Sequence, residues 1–258
     1  MTNESGSRPQ PGAIALVGSG EYLDAMNTTD SYLLDTLGGA ANARVVLLPT
    51  ASGRETDGPA YWNDLGLRHF ANLGVKDIRP SRIIDRASAD EPEQLALLRD
   101  ADFYYFSGGD PQQIIGSMRD MTAWEIITSA YHNGAVLAGC SAGAMAFGAY
   151  TISVRQVVQS GHSAWNPALG LVPQLVVFPH FDRMAGFISN IVFKGLLATL
   201  PAGHTIVGVD EDTALVRVEA SVDGTEKGRW RVMGRQTVKV FEKDESVRTL
   251  HVGDEIVL

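Results

Sequence analysis

The chain has 258 residues, 45% of them hydrophobic, and a formal net charge of −9. That length suits one α/β domain, or one with an appendage, with ample apolar material for a core. The negative balance and the lack of a basic run exclude a nucleic-acid surface, and no stretch approaches the ~18–20 apolar residues of a membrane span.

Residues 1–12 are polar, carry Pro9 and Pro11 and have no apolar core segment. They read as a disordered lead-in rather than a signal peptide, with a single domain over 13–258. Ala13–Val17 is a first buried strand, ending in Gly18-Ser-Gly20-Glu21. That loop lacks the G-x-G-x-x-G of a phosphate cradle, because position 23 is Leu. Ser31–Gly38 reads as a helix stopped by Gly38-Gly39, and Arg44–Leu48 as a second buried strand stopped by Pro49. Tyr61–Leu73 has helical spacing of Trp62, Leu65, Phe70 and Leu73. Asp77–Ile84 is a strand near a sheet edge, since it contains Pro80. Glu91–Arg99 is a short helix, and Ala101–Phe106 a fourth strand running into Ser107-Gly-Gly-Asp-Pro111. Ile114–Met118 and Ala123–His132 are helical.

Ala135–Ala138 is the next apolar strand. Gly139-Cys-Ser-Ala-Gly143 follows, then a small-residue helix. This is G-x-S-x-G between strand and helix, a turn that holds a serine hydroxyl up at the head of a helix. Strands alternating with helices, each strand a continuous apolar run, predict a parallel sheet covered on both faces. The loops at Gly18, Pro49, Gly108 and Ser141 should then open at its carboxyl edge, where sites form. Beyond Tyr150 the signals weaken: Ser160–Pro173 is turn-rich and reads as a lid. Gln174–Phe178 is a strand leading to Pro179-His-Phe-Asp-Arg183, Phe187–Leu200 is a helix, and Thr205–Val209 is a strand leading to Asp210-Glu-Asp212. The remainder, about 214–258, reads as a small antiparallel section attached to the main sheet.

Ser141 needs a base within hydrogen-bond reach, and the base needs an orienting acid. Of six histidines, His180 alone follows a core strand. His69 and His132 lie in helical segments and are expected at the surface; His162 lies in the lid; His204 precedes a strand; and His251 sits in the terminal section. Asp182, Asp210, Glu211 and Asp212 are candidates for the acid. Period-two alternation sets Glu211 opposite its two acidic neighbours, and spacing does not choose among the four. The backbone N–H of Ala142 and that of Gly109 are the candidate oxyanion donors. Asp110, Gln112 and Arg183, around the same loops, are the candidate substrate-binding residues. The single cysteine, Cys140, rules out an internal disulfide or a cysteine metal cluster and fits a reducing compartment, so a cytoplasmic setting is expected.

Leu48-Pro-Thr-Ala-Ser52, Phe106-Ser-Gly-Gly-Asp110, Ala138-Gly-Cys-Ser-Ala-Gly-Ala144, Pro179-His-Phe181 and Asp210-Glu-Asp-Thr-Ala-Leu215 stand in the order found in the dipeptidase E and cyanophycinase family of serine peptidases, which this chain resembles. The resemblance implies the class I glutamine amidotransferase-like fold, a flavodoxin-like three-layer α/β sandwich with a mostly parallel central sheet. It implies Ser141 as nucleophile, His180 as base and Glu211 as orienting acid. It also implies cleavage of a peptide or isopeptide bond in a small peptide, with no cofactor or metal. Partners are thus a small peptide and, as an arrangement left open, a second copy in a homodimer, with neither nucleic acid nor membrane. The chain departs from the cyanophycinase pattern at Pro179 and Pro111, where that branch carries glutamine, and only Arg183 follows the histidine closely. An esterase-like hydrolase would instead place its acid before its histidine, and a non-catalytic binding protein would use none of these groups.

Overall fold

The computed structural model describes residues 10–152, 165–187, 190–221, 227–242 and 246–258. Most of the expected lead-in, His162 and the first part of the expected lid lie outside these residues.

Five parallel strands form the centre: β1 (Ile14–Val17), β2 (Arg44–Leu48), β3 (Asp77–Pro80), β4 (Phe103–Phe106) and β5 (Val136–Cys140), in the order β1-β5-β4-β2-β3. Alternate side chains serve opposite faces. Leu16, Val46, Leu48, Tyr104, Phe106 and Leu137 belong to one core; Ala15, Val17, Val45, Leu47, Phe103, Tyr105 and Val136 belong to the other. Burial on both faces is why these strands read as continuous apolar runs. Helices α1 (Asn27–Asp35) and α2 (Gly58–Asn72) supply Leu33, Leu34 and Phe70 to the second core. Helices α3 (Arg86–Ala89), α4 (Pro92–Arg99), α5 (Pro111–Met118), α6 (Thr122–His132) and α7 (Ala142–Phe147) cover the first. The result is three layers.

β3 lies at the sheet edge and ends at Pro80, four residues earlier than the sequence suggests. Proline has no N–H to extend the ladder, and the chain beyond it turns inward, where Ile83 O accepts the Thr50 hydroxyl at 2.7 Å. The last turn of α1 is closed by Gly38 and Gly39, both at positive φ.

The second half departs further from expectation. β8 (Leu175–Phe178) and β9 (Thr205–Val209) do not extend the central sheet. They pair in parallel within a second, four-stranded sheet of order β13-β12-β9-β8, where β12 is Thr237–Phe241 and β13 is Val247–His251. β10 (Thr213–Glu219), β11 (Arg229–Gly234) and β14 (Glu255–Val257) instead add to the central sheet beyond β1, in antiparallel fashion. The antiparallel C-terminal section therefore divides between two sheets. β6 (Tyr150–Ile152) pairs with β7 (Trp165–Pro167), and only β7 falls within the lid expected over Ser160–Pro173. The helix expected over 187–200 is found as α8 (Phe181–Phe187) and α9 (Asn190–Thr199). Among the described residues no helix is long and apolar enough to cross a membrane.

Candidate active site

β5 pairs with β1 so that Cys140 lies level with Val17, and the Ser141 N–H donates to Val17 O at 2.9 Å. Ser141 has φ 48° and ψ −104°, and α7 begins at the next residue. A non-glycine residue there is strained and persists only if its surroundings over-determine it. Two glycines supply that constraint. A Cβ on Gly139 would lie 2.6 Å from Gly143 C, and one on Gly143 would lie 2.8 Å from Phe106 O. Without side chains, α7 seats directly on β4 and β5, and the serine is left at the turn.

His180 follows β8 and also has positive φ, 50°. Its Nε2 lies 3.0 Å from Ser141 Oγ and its Nδ1 2.9 Å from Glu211 Oε1. A carboxylate only accepts, so this contact puts the neutral ring's proton on Nδ1 and leaves Nε2 to accept from the serine hydroxyl. Glu211 follows β9, the parallel neighbour of β8, so His180 and Glu211 leave adjacent strand ends. Its second oxygen takes Arg183 Nε at 2.7 Å, and its backbone N–H donates to Asp182 Oδ1 at 2.9 Å.

The other acids are occupied elsewhere. Asp210 is buried and accepts the Thr237 hydroxyl and, at 3.2 Å, the Thr237 N–H. Asp212 faces Arg235 at 3.9 Å, and Asp182 holds the Glu211 backbone. The three acids at 210–212 are separated by a turn with Asp212 at φ 53°, not by the strand alternation expected from sequence.

Of the remaining described histidines, His132 and His251 are exposed, and His204 Nδ1 lies 3.0 Å from Pro201 O. His69 is buried rather than at the surface. Its Nε2 meets Asp30 Oδ2 at 2.8 Å, and Tyr22 and Phe70 pack on its ring. A polar residue on a helix looks solvent-facing until its partner, 39 positions upstream, is known.

The turn after β4 runs alongside the serine. The Gly108 position lies so close that a Cβ there would be 3.4 Å from Ser141 Cβ. Gly109 has φ 139°, and a Cβ on it would lie 2.6 Å from Ala51 O, so this position requires glycine. The flanking amides are used: Gly108 N–H donates to Glu21 Oε1 at 2.8 Å and Asp110 N–H to Ala51 O at 2.9 Å. Asp110 caps α5, accepting the Gln112 N–H at 2.9 Å, with Arg54 3.9 Å from its other oxygen. Gln112 is exposed.

Glu21 is the site residue that sequence reasoning missed. Its one signal in the sequence is its place at the end of the glycine-containing loop after β1. It also accepts the Cys140 S–H at 2.9 Å. Burial first, and the adjacent Glu21 carboxylate second, push the Cys140 thiol far up, which keeps it neutral.

The sequence model of peptidase family S51 matches residues 14–224. A cyanophycinase from Trichormus variabilis (strain ATCC 29413 / PCC 7937) is 29% identical over 234 residues, covering 83% of this chain and 69% of that protein. The crystal structure of a peptidase from an acI-B1 Actinobacterium is similar at TM-score 0.82 and 31% identity, over 98% of this chain and 99% of that one. A putative peptidase E protein from Listeria monocytogenes EGD-e shares the fold at TM-score 0.55 and 15% identity, over 94% of this chain and all (100%) of that one. The family model and both sets of relatives point the same way: this chain belongs to peptidase family S51.

Proposed function

We propose that this chain is a serine-type peptidase that cleaves a peptide or isopeptide bond in a small peptide through an acyl-enzyme on Ser141. The observation that carries the reading is the continuous chain Ser141 Oγ–His180–Glu211, with contacts of 3.0 and 2.9 Å. In this mechanism Ser141 Oγ attacks the carbonyl carbon while its proton passes to His180 Nε2. Glu211 stabilises the imidazolium that forms. The tetrahedral oxyanion takes the N–H groups of Ala142 and Gly109. The C–N bond then breaks, and the leaving amine receives the Nε2 proton. Water, deprotonated by the same nitrogen, hydrolyses the ester and restores the serine.

The order serine, histidine, acid supports this reading over an esterase-like hydrolase, whose acid precedes its histidine. Arg183, 70% exposed beside Glu211, suits a substrate carboxylate. Asp110 and Gln112 border the oxyanion turn and suit a substrate amine or amide. A small peptide is favoured over a polymer, because Pro179 and Pro111 replace glutamines of the cyanophycinase pattern.

Reaction with a fluorophosphonate, followed by peptide mapping, tests the reading. Modification at Ser141, absent in Ser141→Ala, is the expected result, with turnover of dipeptides or β-aspartyl peptides lowered by about 10⁴–10⁶ in that variant. Absence of labelling at Ser141, or full activity in Ser141→Ala, would reject it.

A further inference from the structure

The mechanism leaves one buried acid unused. Glu21 is 7% exposed, yet both its oxygens are engaged by elements that meet at the serine. Oε1 accepts the Gly108 N–H of the turn after β4 at 2.8 Å; Oε2 accepts the S–H of Cys140, the residue before Ser141, at 2.9 Å. A Cβ on Gly108 would lie 2.9 Å from Oε1 and 3.4 Å from Ser141 Cβ, so no side chain separates the three residues. The backbone is bent to deliver this acid. Tyr22 has φ 64°, and its ring is wedged between Trp62, Phe70 and Tyr105. Burying a carboxylate is costly unless its oxygens are hydrogen-bonded, which makes these two bonds a strong geometric constraint.

We propose that Glu21 is a positioning residue for the oxyanion turn: by accepting the Gly108 N–H and the Cys140 S–H it locks Gly108-Gly109 against the elbow and leaves the Gly109 N–H directed at the developing oxyanion. The inference rests on Ser141 being the nucleophile. A negative charge this near an oxyanion opposes it, so the benefit of Glu21 is geometric. A glutamine whose amide oxygen takes Gly108 N–H, with its NH₂ towards the weakly accepting Cys140 sulfur, suffices.

Inactivation by a fluorophosphonate reads this without knowledge of the substrate. Ser141 Oγ forms the new P–O bond, fluoride leaves, the hydroxyl proton passes to His180, and the phosphoryl oxygen occupies the oxyanion position. The full chain, E21A and E21Q are compared for the maximal inactivation rate, the half-saturating probe concentration and the thermal melt. For E21A the rate should fall about 10²-fold, as for loss of one oxyanion donor, with half-saturation within about threefold. E21Q should recover the rate to within about threefold of wild type. A folded E21A that reacts at the wild-type rate overturns the proposal, as does an E21Q as slow as E21A. Should E21A not fold, G108A carries the test, since its Cβ pushes the turn off Glu21. It should lose rate without losing half-saturation, and an unchanged rate refutes the proposal. If the wild type itself does not react at Ser141, it is the serine-peptidase reading that has failed, whatever the variants do.

Discussion

Replacing Glu211 by glutamine sets two donors against one acceptor. The carboxylate serves His180 Nδ1–H with one oxygen, at 2.9 Å, and Arg183 Nε–H with the other, at 2.7 Å. An amide of the same shape has one oxygen. A hydrogen bond involving a charged donor is worth about 1.5–3 kcal/mol net, against about 0.5–1.5 for a neutral one. The difference, about 1 kcal/mol, turns the amide oxygen towards Arg183 in roughly four molecules of five. The NH₂ then faces His180 Nδ1, which must accept, so the ring proton moves to Nε2 and the serine loses its base. That imbalance alone costs about fivefold, since roughly one molecule in five keeps the productive tautomer. Loss of the carboxylate charge that stabilises the imidazolium supplies the rest, so Glu211→Gln should slow fluorophosphonate inactivation at Ser141 by about 10³–10⁴, the scale of a triad whose acid is made an amide. Removing the competing donor as well, in Arg183→Ala/Glu211→Gln, frees the amide oxygen for Nδ1–H and should recover about fivefold of that loss. The assay is the inactivation rate measured on all three variants, with circular dichroism to confirm folding. A Glu211→Gln rate within tenfold of wild type would remove Glu211 from its role. A double variant slower than the single would show that Arg183 does not compete for the amide.

Asp210→Asn should lower the melting temperature yet leave the inactivation rate within about threefold, because Asp210 bonds Thr237 and not His180. His69→Leu should destabilise the chain by about 3–5 kcal/mol in urea unfolding, since it strands Asp30 as an unpaired buried acid; a smaller change would mean that Asp30 is held neutral. Native Cys140 should resist a thiol reagent at neutral pH and react only on unfolding, because its raised pKa keeps it protonated and it is fully buried. Asp85→Ala should cost about 1 kcal/mol at pH 7, because Asp85 caps α3 through the Ser88 N–H. The Ser88 backbone bond, first, depresses the Asp85 pKa, so that contribution is present above the ordinary carboxylate range and lost as pH falls through the depressed value.

The central sheet was legible because burial on both faces writes each strand as an unbroken apolar run. β2 was delimited to the residue, and Pro80 marked the edge. β8 and β9 were legible as strands but not as members of a second sheet, since a buried run carries no record of its neighbour. The partition of β10 to β1 and of β12 to β9 is decided by tertiary pairing alone. At the site, position along the chain selected Ser141 and His180. It could not select Glu211 from its acidic neighbours; family resemblance singled it out, its carboxylate lies 2.9 Å from His180 Nδ1, and the turn at Asp212 rather than alternation separates the three. Glu21 was invisible in kind: its partners are 87 and 119 residues away.

Five non-glycine residues among those described have positive φ, and four of them, Tyr22, Ser141, His180 and Asp212, lie just beyond the carboxyl ends of β1, β5, β8 and β9. Each such conformation costs about 1–3 kcal/mol, so together they approach the net stability of an ordinary domain of about 5–15 kcal/mol. Unconstrained turns would relax, so neighbouring structure must hold them. Close-packed glycines hold Ser141, and an aromatic cluster holds Tyr22. The Met184 N–H to His180 O bond at 2.9 Å roots His180 in α8, and the Arg235 N–H to Asp212 O bond at 2.9 Å fixes Asp212. Each of these residues stands between a strand end and the element that follows it. Two strands of the central sheet and two of the second thereby deliver the acid behind the turn, the serine, the histidine and the flank of Glu211 to one place. The strain is concentrated where separate strands must aim side chains at a common point, and relaxing any one of these turns would cost the geometry before it cost the fold.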